Sequence, residues 1–381
     1  MKKLVLATLA LTTLLITSCS REDDSTSSNS VTINPADFKG ELLSGQSATL
    51  DPTQVYNLTG SFVVRGGATL TIPAGTRIEA TGGTASYIAV AQDALIYING
   101  TSSNPVVMTS GNAVKATGDW GGLVICGRAN TNKGGSTGQT ATAEVSDLTY
   151  GGTEDNDSSG VIRYLRVEYT GAAFTADKEF NGVSFFGVGN GTIVEYIQAY
   201  KSGDDGLEFF GGTVNAKYLI ALHSEDDAVD FADGFSGTLE NVFIKDVSKA
   251  GVEGSNNGDN GNATPTTNAT LKNFTILKGD LAGSEHGMYL KEGAGKWNCQ
   301  NIYIDGFTKG LKIKNSTDDP AANTNVDNGN VVFNPIYFGA SITTQSEYAG
   351  ANTTYLTTGA NTGAGNSGTT PSWATGWTAG F

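Results

Sequence analysis

The sequence predicts an all-β fold, a right-handed, single-stranded parallel β-helix, and three observations carry that expectation. The first is a repeat. Six segments share a polar turn followed by alternating apolar residues: Ile162-Arg-Tyr-Leu-Arg-Val, Val194-Glu-Tyr-Ile-Gln-Ala, Ala216-Lys-Tyr-Leu-Ile-Ala, Leu239-Glu-Asn-Val-Phe-Ile, Leu271-Lys-Asn-Phe-Thr-Ile and Cys299-Gln-Asn-Ile-Tyr-Ile. Their third residues (Tyr164, Tyr196, Tyr218, Asn241, Asn273, Asn301) stand 32, 22, 23, 32 and 28 residues apart. A period near 22, stretched by insertions, is the length of one coil in a stacked solenoid.

The second observation is another strand in every coil: Gly182-Val-Ser-Phe-Phe, Gly206-Leu-Glu-Phe-Phe, Ala228-Val-Asp-Phe-Ala, Gly251-Val-Glu-Gly-Ser, Gly287-Met-Tyr-Leu-Lys and Gly310-Leu-Lys-Ile-Lys. Side chains alternate faces along a strand, so Val183, Leu207, Val229, Val252, Met288 and Leu311 form one inward column. Phe185, Phe209, Phe231, Leu290 and Ile313 continue the same face. The third is composition: 51 Gly, 8 Pro and 16% charged residues fit many turns and short strands and oppose a helical protein.

A solenoid grows without a second domain, so residues 33–381 read as one β-helix. Its C-terminal stretch from Ala340 to Phe381 is expected to cap the last coil, with Trp373 and Trp377 over the open end. At the other end, Lys2 and Lys3 precede an apolar run from Leu4 to Ile16, too short for a membrane span, that ends in Ile16-Thr-Ser-Cys19. This resembles a bacterial lipobox, which implies a signal peptide over 1–18 and a lipid on Cys19. The polar run 19–32 reads as a flexible tether. Its Ser20-Arg-Glu-Asp-Asp24 resembles the signal that sends Bacteroidota lipoproteins to the outer face of the outer membrane. The implied location is lipid-anchored and facing the exterior, with membrane contact through the lipid alone.

Winding begins in Phe62-Val-Val-Arg-Gly-Gly-Ala-Thr-Leu-Thr-Ile-Pro-Ala-Gly-Thr-Arg-Ile78, strands turned at Gly66-Gly67 and Pro73-Ala-Gly75. Ile88–Ile98, Val106–Thr109 and Gly118–Ile125 continue it. Cys299 falls in the inward column of Ile162 and Val194, and Cys126 ends an apolar strand, so both read as small buried thiols. The phrases Gly118-Asp-Trp-Gly-Gly, Gly203-Asp-Asp-Gly-Leu-Glu-Phe-Phe-Gly-Gly-Thr-Val-Asn-Ala-Lys-Tyr218, Glu225-Asp-Asp227 and Trp373-Ala-Thr-Gly-Trp377 resemble a family of large, mostly uncharacterised β-helix lipoproteins of Bacteroidota. That resemblance, spread over roughly residues 45 to 381, implies fold and location but hardly any activity.

Chemistry is expected on the outward side of the second strands, where Ser184, Glu208, Asp230, Glu253, Tyr289 and Lys312 form a column. The preceding turns stack Asp204 on Asp226 and Asp205 on Asp227, with Glu225 and Asp233 alongside. Neighbouring coils lie about 4.8 Å apart, so these carboxylates repel one another. A hard cation would offset the repulsion, and clustered Asp and Glu oxygens with few His or Cys suit Ca²⁺ rather than Zn²⁺. The expected calcium ligands are Asp204, Asp205, Glu208, Asp226, Asp227, Asp230 and Glu253. The competing reading is a solvated acidic face with Asp and Gly serving the turns.

Two enzymatic readings stand beside these. Asp204-Asp205, Asp226-Asp227, Glu285-His286-Gly287 and Lys312-Ile-Lys314 resemble, in order, the motifs of the pectin-hydrolysing glycosidases on this fold, within the broader pectin-lyase-like group. Glu285 and Lys312 depart from that family's Gly and Arg. The resemblance implies catalysis by Asp205, Asp227 and His286, with the acid and base carboxyls about 6.5–9.5 Å apart if the enzyme inverts. A lyase acting on uronates would instead need a base, for which Lys249, Lys291 and His286 are candidates, and calcium on the substrate carboxylate.

A net charge of −15 and a pI near 4.5 oppose nucleic-acid binding, which relies on cationic patches. Glycans need aromatic platforms, for which Tyr200, Phe210 and Tyr289 are candidates, together with Phe186. The polar insertion 255–268 and the shorter one at 171–177 are further candidate binding loops. The leading expectation is thus a surface β-helix that binds calcium and a glycan or cell-surface macromolecule. The alternative is a calcium-dependent polysaccharide hydrolase or lyase.

Overall fold

The computed structural model describes residues 29–134, 138–176, 178–283, 286–314, 317–365 and 367–381. The candidate signal peptide, Cys19 and most of the tether lie outside the described residues. No described helix is long and apolar enough to cross a membrane.

Each turn of the chain lays one long and one short strand, in parallel, on the coil before. The long strands Gly160–Glu168, Ile193–Ser202, Ala216–Ser224, Thr238–Val247, Asn268–Leu277 and Lys296–Asp305 contain the six repeat segments. Ile162, Val194, Ala216, Leu239, Leu271 and Cys299 stand in one register column. The short strands Val183–Phe186, Leu207–Phe210, Val229–Ala232, Ala250–Ser255, His286–Lys291 and Lys309–Ile313 hold the second column, Val183 to Leu311, in register. Both columns are fully buried. Apolar burial of about 1.5–3 kcal/mol per large side chain therefore repeats coil by coil, and rings such as Phe185 and Phe209 stack 4.8 Å apart inside.

The third residue of each repeat is the corner of the coil. Gly160–Arg163 pairs with Ile96–Asn99, and Leu165–Val167 pairs with Val106–Met108. One long strand thus continues two separate strands of the N-terminal coils, and Tyr164 alone replaces the connection 100–105. Tyr164, Tyr196, Tyr218, Asn241, Asn273 and Asn301 all have φ between +49° and +61°. Asn enters this left-handed region readily, but Tyr is uncommon there, and its cost must be offset by neighbours. The tyrosines stack at 4.2 and 4.4 Å. Below them the amides form a ladder, Asn273 donating to Asn241 (3.0 Å) and Asn301 to Asn273 (2.8 Å).

Two expectations about the ends are corrected. Asn29–Ser30 pair with Gln46–Ser47, and Val31 and Ile33 pack on the core, so the sheet starts inside the segment read as tether. The C-terminal tryptophans do not cover the open end. Residues 359–381 run back along the outside of the long strands as a strap. Asn301 accepts from the N–H groups of Thr362 and Gly363, Trp373 meets Tyr218 at 5.4 Å, and Trp377 meets Tyr164 and Tyr196 edge-on at 5.8 and 6.0 Å. The reason lies in the outward positions of the long strands: Ile220, Leu222 and Phe243 are apolar and need cover, which the strap supplies.

Candidate functional site: a carboxylate column and an open groove

The outward column of the short strands is in the expected register, Ser184, Glu208, Asp230, Glu253, Tyr289, Lys312. It is not a solvated face throughout. Ser184, Glu208, Asp230 and Glu253 are 1%, 8%, 9% and 7% exposed. The cause is a roof. After Cys126 the chain forms an antiparallel hairpin, Thr140–Thr142 with Thr149–Gly151. Ala143, Val145, Leu148 and Tyr150 from this region, with Phe180 from the segment before Val183, pack on Val124, Cys126, Phe186 and Phe210.

Two aromatic candidates change status. Phe186 and Phe210 stack at 4.2 Å beneath the roof, so Phe210 has no open ring face for a sugar. Tyr200 lies on a long strand, packed in the apolar cluster under the strap, on a different face from the acids. Tyr289 remains partly exposed at the acid column. The insertion 255–268 is likewise tied down at its base. Asn257 Nδ2 donates to Asn132 Oδ1 (2.9 Å), and Asn132 Nδ2 to the Asn256 carbonyl (3.1 Å).

Within the column the acids have distinct partners. Asp205 Oδ1 accepts from the Asp227 N–H (2.9 Å), and Asp227 Oδ1 accepts from the Ala250 N–H (2.6 Å). Each of these turn aspartates thus holds the backbone of the following coil. Asp226 pairs with Lys249 at 2.5 Å, and Glu253 pairs with Lys291. Asn181 donates through Nδ2 to Glu208 and to Ser184 Oγ. Oxygens of Asp204, Asp205 and Asp226 lie within 4.8 Å of one another, as do oxygens of Asp205, Glu208 and Asp230. The second trio is entirely buried. Asp230 Oδ1 and Asn181 Oδ1 are buried with no hydrogen-bond partner.

Burial, then mutual repulsion, pushes Asp205, Glu208, Asp227 and Asp230 well above the ordinary carboxylate range. Asp204 is pushed up to about 7 by burial and by Asp226. The donor set fits a hard divalent cation, since it offers carboxylate oxygens and an orphaned carboxylate oxygen and amide carbonyl without His or Cys. The lyase candidates fare worse. Burial would lower Lys291, but Asp230 and Glu253 outweigh it and keep the ammonium protonated. Lys249 is held the same way by Asp226. Neither is a ready base at neutral pH.

Sequence reasoning missed Glu144 and Asn181, both brought by the covering segments. The charge of Glu144 is felt at Glu208 and Asp204. The alternation Ala143, Val145 around Glu144 is a signal that could have placed it; Asn181 has no periodic signal at all.

Roof attachment carries its own pH dependence. Burial raises Asp233 from 3.8 to about 6, against the pull of Lys133, while Tyr150 Oη donates to it across 3.3 Å. The folded state therefore binds this proton more tightly than the unfolded chain, so stability is full below about pH 4 and is lost as pH rises through about 6. Asp233→Asn is expected to flatten this decline, worth on the order of 2 kcal/mol, in chelator-treated protein melted from pH 4 to 7. An unchanged slope would contradict it.

Downstream of the roof the column opens into a groove. A hollow of ≈260 Å³ is lined by Asp227, Lys249, Ala250, Glu253, His286, Tyr289 and Lys312. A second of ≈590 Å³ shares Tyr289 and Lys312 and adds Ile313, Lys314, Asp318 and Glu347. Lys312 Nζ sits 4.2 Å from the centroid of the Tyr289 ring. His286 Nε2 is 3.2 Å from Glu347, which Lys309 also binds at 2.6 Å. The structure thus brings Asp227, Glu253, His286 and Tyr289 to one groove and leaves Glu208 and Asp230 under the roof.

Residues 40–378 match the model of the pectate-lyase-like β-helix domain family. The chain belongs to that family. Among solved structures this β-helix is similar to the Dettilon tailspike protein, at 10% identity and a TM-score of 0.34, over 82% of this chain and 62% of the tailspike. It is also similar to the catalytic domain of a GH87 α-1,3-glucanase in complex with tetrasaccharides, at 12% identity and a TM-score of 0.36, over 87% of this chain and 68% of the glucanase domain. No curated protein sequence matches this β-helix.

Proposed function

We propose that this β-helix binds an extended glycan along the open groove, displayed outside the cell by a lipid on Cys19 and with calcium bound in the acid column. The carrying observation is that groove: the outward column changes from buried acids to Tyr289 and Lys312 where the roof stops, and the two hollows share these residues as a common wall. The half-buried Tyr289 ring is the platform for a sugar, and Lys312 and His286 supply polar contacts. The sequence Ile16-Thr-Ser-Cys19 supports the anchor.

A second reading, hydrolysis, is favoured by two groove-lining carboxyls, Asp227 and Glu253, both raised by burial as a general acid requires. One experiment addresses both. The protein is titrated with neutral and uronate polysaccharides in calcium, and the mixtures are assayed for new reducing ends. Tyr289→Ala and Lys312→Ala are each expected to weaken binding about tenfold, or about 1.4 kcal/mol, with unchanged melting. Unaltered binding by both variants, or no binding across the panel, would remove the groove reading. New reducing ends that disappear in Glu253→Gln would make the protein an enzyme.

A further inference from the structure

We infer that the bound calcium is a fastener for the roof, held by Asp205, Glu208 and Asp230 with Asn181, and that it does not touch the glycan. This rests on the calcium part of the reading above and assigns the ion a place and a task.

The place follows from burial and unmet bonding. Of the two acidic trios, Asp204–Asp205–Asp226 is partly open, and its orphaned Asp226 Oδ1 belongs to a carboxylate already neutralised by Lys249, whereas Asp205–Glu208–Asp230 is buried at all three members. One oxygen of Asp230 lies within 4.8 Å of oxygens of Asp205 and Glu208, and Oδ1 of this same carboxylate is buried with no hydrogen-bond partner. An orphaned, buried carboxylate oxygen is costly unless something charged or polar meets it. Asn181 is 1% exposed, leans on Glu208 through its Nδ2, and has a second unmatched oxygen in its own carbonyl. Carboxylates plus an amide carbonyl are calcium donors, and water can complete the shell.

The task follows from which parts of the chain contribute. Asp205, Glu208 and Asp230 belong to two successive coils, but Asn181 sits in the covering segment beside Phe180, which packs into the roof's apolar cluster. Glu144, flanked by the buried Ala143 and Val145, brings a further negative charge towards Glu208 from the hairpin. Without a cation, the roof presses one more carboxylate onto a repelling cluster. With one, the repulsion becomes attraction, and the covering segments are drawn down. The groove begins at Asp227 and Glu253, and no member of the trio lines it.

The test uses chelator-stripped protein with and without millimolar CaCl₂, read by calorimetric titration, melting and limited trypsin digestion. Lys133 and Lys178 lie exposed in the covering segments and report on them. Calcium is expected to slow cleavage after both lysines at least tenfold and to raise the melting temperature by about 5 °C. Asn181→Ala should weaken calcium binding about tenfold, while Asp226→Asn leaves it unchanged. Asp230→Asn should melt above the parent in chelator, having lost a repelling charge, and below it in calcium. Calcium binding without slower cleavage, or lost in Asp226→Asn and retained in Asn181→Ala, would overturn the fastener. An Asp230→Asn protein that melts higher in both conditions would do the same. Absence of any calcium binding would remove this inference and the calcium part of the proposed function together, leaving glycan binding by the groove to stand or fall on its own titration.

Discussion

Shortening the chain to residue 358 will lower the melting temperature by about 5–10 °C and make the protein bind hydrophobic dyes and self-associate. The strap covers Ile220, Leu222 and Phe243, which are at most 4% exposed and face outward from the long strands. Trp377, fully buried, is its anchor, and Trp377→Ala alone should cost about 3–5 kcal/mol, as large-to-small changes at aromatic core positions do. Polar groups add to the loss. Gln198 is fully buried; its Nε2 donates to the Ala379 carbonyl (2.7 Å) and its Oε1 accepts from the Ala379 N–H (2.8 Å). Thr275 Oγ1 accepts from the Ala364 N–H at 3.0 Å. Orphaning such groups costs about 1–3 kcal/mol each, although water reaches them once the strap is gone. Melting, size-exclusion chromatography and dye binding check the outcome. A monomeric truncated protein melting within about 2 °C of the parent would mean that the strap is decoration.

A single methyl group in the core should do comparable damage. Gly251 is the second residue of the short strand Ala250–Ser255, opposite the inward Ile276, and a Cβ there would lie 2.1 Å from Ile276 Cγ2 and 2.7 Å from the Gly287 carbonyl oxygen. The second neighbour is backbone of the next coil and cannot swing aside. Gly251→Ala is expected to cost about 3 kcal/mol, the upper end for overpacking. The cause is checked by a double-mutant cycle in denaturant. Ile276→Ala makes a cavity and destabilises by itself, but combined with Gly251→Ala the cost should fall at least about 1 kcal/mol short of the sum. Simple additivity would show that the clash with Ile276 is not what matters.

The coils were legible because strand alternation has period two and the repeat brings the same face back every coil. The columns from Val183 to Leu311 and from Ser184 to Lys312 follow from counting alone. Exposure of the second column was not legible, since it depends on what lies over it. The roof hairpin comes from chain 25 to 58 residues before Glu208's neighbour Ser184, in the part from Cys126 to Ser159, which has no repeat partner to align with. Hence counting puts Glu208 and Asp230 in the right column but in solvent, and leaves Phe210 an open platform, whereas the roof buries all three. The strap was misplaced for a related reason. Trp373 and Trp377 announce burial against something apolar, and an open solenoid end is one such surface. The actual partners, Tyr164, Tyr196 and Tyr218, were visible as a column, but their left-handed backbone, which turns the rings outward at a corner, carries no periodic signal. Tyr is an unusual choice for that conformation; the Asn at 241, 273 and 301 is the conventional one and was the available clue.

A corner made by one residue also sets the grain at which such a protein can change over evolutionary time. The N-terminal coils turn through connecting segments such as 100–105, each with its own fit to its surroundings. From Tyr164 onward, a new coil requires only a tandem copy of about 22 residues, with its Tyr or Asn falling on the same corner and its strands on the same columns. A duplication of 206–227 would therefore insert another Asp–Asp turn and another Glu208 between existing ones, lengthening the carboxylate column by one rung. Gene duplication at this scale would change how much charge the molecule stores, and where its groove begins, while leaving every existing contact within a coil as it was.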